Sequence, residues 1–145
     1  MTDNRIDAVV IERLVQAPAS LVWRMWTEPE HFAAWYGPEG SSVPVATMDV
    51  RVGGERRICM ELVRSDAVMQ MWFVGEYREV VPGRRLVYTE AMADADGRVL
   101  SPAQLGMPGD HPVTTEVILD FEDLGARTRL TLTHVGIPAG SPGAQ

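Results

Sequence analysis

Three residues of this sequence, Arg56, Glu90 and His134, carry reactive or charged groups on strand faces whose neighbouring positions are apolar. Arg56 shares strand parity with Ile58, Met60 and Leu62, Glu90 with Leu86 and Tyr88, and His134 with Leu130 and Leu132, so each falls on the apolar side of its strand. Burying a guanidinium without a partner costs several kcal/mol. An inward Arg56 therefore demands either the Glu90 carboxylate or an anionic ligand. The alternative puts Arg56 at a sheet edge with its head in water, and that placement is preferred on cost. A lone inward histidine is ordinarily a hydrogen-bonded core residue, and His134 is read so.

Other chemistry is thinly supported. Glu55, Glu61, Glu90 and Glu116 could supply paired carboxylates for acid–base work, but strand placement scatters them. His31, His111, His134 and Cys59 have neither C-x-x-C nor H-x-x-x-H spacing, so no metal is expected. No G-x-S-x-G elbow occurs, and no spacing pairs a nucleophile with a base, so no catalytic residue is assigned. All 13 basic residues are arginine; the absence of lysine removes Schiff-base chemistry and the phosphate-loop lysine. No cofactor is expected.

The positions of these groups depend on the elements that carry them. At 145 residues the chain reads as one domain, able to bury roughly two-thirds of its unfolded surface. A single cysteine excludes an internal disulfide. With no charged-then-apolar leader and no apolar run of membrane length, a cytoplasmic location is expected. The formal charge of −7 argues against nucleic acid and anionic membrane surfaces as partners. Strands are expected at Arg5 to Val15, Val43 to Val50, Glu55 to Val63, Val68 to Val80, Arg84 to Met92, Val113 to Glu122 and Thr128 to Val135, with short turns that favour antiparallel pairing. Between the first two strands, Leu21, Val22, Met25 and Trp26 recur on one helical face after Pro18. Thr27 and Glu30 form a capping-box pattern for a second helix, which Gly37-Pro38 stops. Trp35 is expected to pack with Phe32 or Trp26, and Gly53-Gly54 to adopt positive φ or a bulge. The stretch from Asp94 to Pro112 is longer than a hairpin needs and is read as a mobile rim over a pocket mouth.

The order and spacing of Ala17-Pro18, Val22-Trp23, Trp35-Tyr36-Gly37-Pro38, Val52-Gly53-Gly54, Gly75 to Pro82, Arg85 to Thr89 and Thr128 to His134 resemble one family over about Val9 to Ile137. It is the activator of heat-shock protein 90 ATPase-like group of the START-like (SRPBCC) superfamily. The resemblance implies an α+β helix-grip fold, in which a curved antiparallel sheet with two short helices after its first strand wraps a long C-terminal helix. In many relatives a cavity between sheet and helix binds apolar or amphipathic small molecules. The sequence departs from the pattern twice: it stops in a Gly- and Pro-rich segment, Gly136 to Gln145, where the long helix is expected, and it has Arg56 where relatives carry an aromatic.

On that frame the cavity candidates are Trp35 from the helix pair, and Arg56, Ile58, Met60, Trp72, Tyr77, Tyr88, Glu90, Leu119, Phe121, Leu132 and His134 from successive strands. Methionines adapt to varied apolar shapes, and Tyr and Trp add polar tips, which suits an amphipathic guest. The expected function is non-catalytic binding of a small apolar or amphipathic molecule. The alternatives are a co-chaperone-type module that regulates a chaperone ATPase through a protein partner, and a cyclase- or hydrolase-like enzyme using His134, Glu90 or Arg56. If no helix follows, the apolar face bearing Val117, Leu119, Phe121, Leu130, Leu132 and His134 predicts a homodimer or a domain-swapped contact over it.

Overall fold

Alternating patterning and short polar turns produce seven strands and two helices in the computed structural model, which describes residues 8–37, 40–65, 67–104, 106 and 113–136. In chain order these are β1 (Ala8–Val15), α1 (Ala19–Thr27), α2 (Pro29–Trp35), β2 (Ser41–Met48), β3 (Glu55–Arg64), β4 (Ala67–Val81), β5 (Arg85–Ala93), β6 (Thr114–Asp123) and β7 (Thr128–Val135). All pair antiparallel in one curved sheet of order β1-β7-β6-β5-β4-β3-β2. The fold is the expected α+β arrangement. Residues 5–7 of the first expected strand lie outside the described residues, as do residues 137–145, on which the expectation about a C-terminal helix bears.

The strand order explains the helices. β1 and β2 are consecutive strands yet occupy opposite edges, so their connection must span the sheet. It does so as α1, which packs on β6, followed by α2, which packs on β2. Buried residues Val22, Trp26 and Phe32 form one core with Ile58, Tyr77, Leu86, Tyr88, Val117, Leu119, Phe121 and Leu130. The helix pair therefore identifies the covered, concave face.

Two helix details differ from expectation. The buried stripe of α1 is Ala19, Val22 and Trp26, while Leu21 faces solvent, because the inward arc is centred on Val22 and turns Trp23 onto Phe121 in a T-shaped contact at 5.4 Å. Thr27 does not cap α2. Its hydroxyl donates to the Trp23 carbonyl at 2.8 Å, and Pro29 at the first helical position makes Glu28 the capping residue, with no side-chain cap.

Local backbone devices set the strand registers. Gly53 has φ 83°, and its N–H donates to the Tyr77 carbonyl while the Tyr77 N–H donates to Gly54, tying the β2–β3 turn to β4. A register shift between Tyr77 and Glu79 allows both Tyr77 and Val80 to face the core. The start of the long β5–β6 connection is folded onto the outer face. The Asp94 carboxylate accepts from the Asp96 and Arg98 amides, and Arg57 donates to the Ala95 carbonyl. That corrects the reading of this part as a rim over the concave mouth; residues 105 and 107–112 lie outside the described residues.

Candidate functional site

Strand register brings Arg56 of β3, Glu90 of β5, Thr115 of β6 and His134 of β7 to the concave face, where Glu90 stands opposite Thr115 and Val117 opposite His134. The edge placement of Arg56 is overturned: the residue is 1% exposed. Its Nη1 donates to Glu90 Oε2 at 3.3 Å, and the guanidinium carbon lies 4.0 Å from the Tyr88 ring centroid and 5.2 Å from that of Phe32. Ring faces and one carboxylate together offset the desolvation that disfavoured burial. Arg56 Nε and Nη2 and the Tyr77 hydroxyl are buried without a hydrogen-bond partner among the described residues. Tyr77 is close enough to feel the guanidinium's charge, but the two do not meet at hydrogen-bonding geometry. Burial pushes the Tyr36 and Tyr77 phenols up to about 12 and raises Tyr88 further.

The other end of this polar line is more open. His134 Nε2 lies 2.7 Å from Thr115 Oγ1, which in turn reaches the Glu90 carbonyl at 3.3 Å. One tautomer satisfies all three: Nε2–H donates to Thr115 and Thr115 donates to the carbonyl, which leaves Nδ1 as an acceptor. Burial lowers the His134 pKa against the opposing pull of Glu90, so the neutral ring dominates near pH 7. Glu90 is mostly buried, its side chain 15% exposed, and Oε1 makes no hydrogen bond among the described residues. The arrangement can hold a polar group through acceptors and can exchange a proton at the imidazole.

Beside this line runs an apolar groove of about 290 Å³. Ile11 and Val15 of β1, Leu130 and Leu132 of β7, and Val22, Met25, Trp26 and Trp35 of the helix pair line it, with Arg13 at its side. Trp35 donates its indole N–H to the Met25 carbonyl at 2.8 Å and packs edge-on against Trp26 and Phe32, as expected, but remains 36% exposed. Phe32 joins the two regions, since its ring contacts both Trp35 and the Arg56 guanidinium.

The sequence-predicted residues divide accordingly. Trp35 and Leu132 line the groove; Arg56, Glu90 and His134 form the polar line; Ile58, Met60, Tyr77, Tyr88, Leu119 and Phe121 are buried in or beside the core. Trp72 is corrected. It pairs with Cys59, one residue out of phase with the inward Ile58–Phe73 pair, and its ring lies under Arg57 on the outer face. Phe32, Tyr36 and Thr115 were missed as site residues. For Phe32 and Tyr36 the signal was the aromatic cluster ending α2; for Thr115 it was the parity shared with Val117 and Leu119.

Several solved structures share this fold. Protein CV1439 from Chromobacterium violaceum is 27% identical, with a TM-score of 0.73 over 93% of this chain and 83% of that one. A Staphylococcus epidermidis protein shares the fold at 20% identity, with a TM-score of 0.75 over 98% of this chain and 79% of its own. Protein NE0264 from Nitrosomonas europaea does so at 24% identity and a TM-score of 0.69, covering 98% and 80%. No protein with a curated description matches the sequence. The model of the Activator of Hsp90 ATPase homolog 1-like protein family matches residues 16–144, from the end of β1 through the helix pair, the Arg56 strand and the His134 strand, and the chain belongs to that family.

Proposed function

We propose that the concave face binds a small apolar or amphipathic molecule without turning it over, its apolar body seated between β1, β7 and the helix pair. The carrying observation is the groove itself: of the nine described residues that line it, eight have apolar or indole side chains, and two are tryptophans. Such lining with a few polar groups at one end is the usual composition of a small-molecule site. Binding is tested with N-phenyl-1-naphthylamine, an uncharged dye whose fluorescence rises in apolar surroundings. The protein is expected to enhance its emission saturably, and Leu132→Asp to abolish the enhancement while circular dichroism stays unchanged. Enhancement equal in wild type and Leu132→Asp would remove the groove from consideration.

Family membership favours a second reading, a protein-interaction module that regulates a chaperone ATPase. Its test is the ATPase rate of a purified chaperone of the Hsp90 type with and without the protein. A changed rate that survives Leu132→Asp would assign the regulatory contact to a different surface from the groove.

A further inference from the structure

His134 of the polar line is the next inward position on β7 after Leu132, which lines the groove, and so lies about 7 Å along the strand from it. A guest whose body fills the groove and extends past Leu132 brings its end to the His134–Glu90 corner. Polar groups on the two sides of that corner differ in kind. The donors, Arg56 Nε and Nη2, are buried away from solvent, in a guanidinium packed against the rings of Phe32 and Tyr88. Glu90 Oε1 and the His134 ring edge are not among the buried unpartnered atoms. In the tautomer that donates Nε2–H to Thr115 and frees the Thr115 hydroxyl for the Glu90 carbonyl, that edge offers a lone pair at Nδ1. The corner therefore offers acceptors and asks for a donor.

We propose, resting on the small-molecule reading above, that the guest is an uncharged amphiphile bearing a hydroxyl group, whose O–H donates to Glu90 Oε1 or His134 Nδ1. Charge decides against the two ionic alternatives. Arg56 and Glu90 already sum to zero at 3.3 Å, so an ammonium group would be desolvated without an unpaired counter-charge. A carboxylate would meet Glu90 before it met the enclosed guanidinium. An inward arginine by itself suggests an anionic guest; the depth order of Arg56 and Glu90 reverses that suggestion.

The test is displacement of N-phenyl-1-naphthylamine at pH 7.5, below micellar concentrations, by four probes of matched length: 1-decanol, 1-methoxynonane, decanoate and decylammonium. The ether has the shape and oxygen of the alcohol but no donor. Expected is half-displacement by decanol at a concentration at least tenfold below that of each of the other three, since a site that pairs a hydroxyl discriminates against analogues lacking it. Glu90→Gln is expected to reduce the alcohol-to-ether preference at least threefold while the dye still binds. Should that variant fail to fold, the wild-type alcohol-to-ether ratio decides alone. Dye binding with equal displacement by alcohol and ether, or stronger displacement by decanoate or decylammonium, overturns the hydroxyl assignment and not the groove. No dye binding at all overturns both.

Discussion

At the residue scale the Arg56–Glu90 pair shows how burial can be compensated from several directions. Removing the carboxylate leaves the guanidinium enclosed with only ring faces for company, so Glu90→Ala is expected to cost about 3 kcal/mol in urea denaturation. Replacing both partners, Arg56→Met with Glu90→Leu, removes the charge as well as its partner and is expected to cost less than Glu90→Ala alone. A double variant less stable than the single one would show that the pair contributes net stability. Parity in the sequence names Glu90 as the partner, yet the cost of burying a lone charge favours the edge placement, because that cost omits Phe32 and Tyr88, whose rings reach Arg56 only through the folded register. Trp72 was misplaced for a related reason. It adjoins Phe73, and alternation alone does not say which of two adjacent aromatics faces inward; the pairing of Ile58 with Phe73 does.

At the element scale, the start of β1 aside, strand bounds were legible within two residues because Pro, Gly and Asp-rich turns punctuate the alternation. The capping of α2 was not, since Thr27–Glu30 and Pro29 are competing start signals and the proline prevailed. The Gly53-Gly54 pair was read correctly as a special backbone site, with the stricter constraint at its second member. A Cβ on Gly54 would lie 1.9 Å from the Asp49 carbonyl oxygen, in a turn that also anchors β4 through Tyr77. Gly54→Ala is therefore expected to lose about 2–3 kcal/mol, near the upper end for a single substitution. Gly53→Asn, which tolerates positive φ and meets nothing within 4 Å, should lose less than about 1 kcal/mol. Similar losses at both positions in chemical denaturation would contradict this account of the turn.

At the scale of the whole molecule, the concave interior sets a pH window for stability from both sides. His134 has its pKa lowered by burial, so the unfolded chain binds the proton more readily. Its contribution is complete above the unfolded value near 6.5 and is lost as pH falls through the folded one. All three tyrosines, Tyr36, Tyr77 and Tyr88, have raised values, so the folded state resists ionisation. Their contribution is complete below the unfolded value of 10 and is lost as pH rises toward the folded values, about 12 for Tyr36 and Tyr77. The urea midpoint is thus expected to be level from about pH 7 to 9 and to decline on either side. On the acid side, just below about pH 6.5, His134→Gln should flatten the decline, which separates the imidazole from carboxylates, whose ordinary values lie lower. On the alkaline side, tyrosinate absorbance at about 295 nm should be small at pH 11 in the folded protein and rise to the full complement when urea unfolds it. Near-complete ionisation at pH 11 with native circular dichroism would place the phenols in contact with solvent, and the enclosed wall of aromatic rings around Arg56 would be wrong.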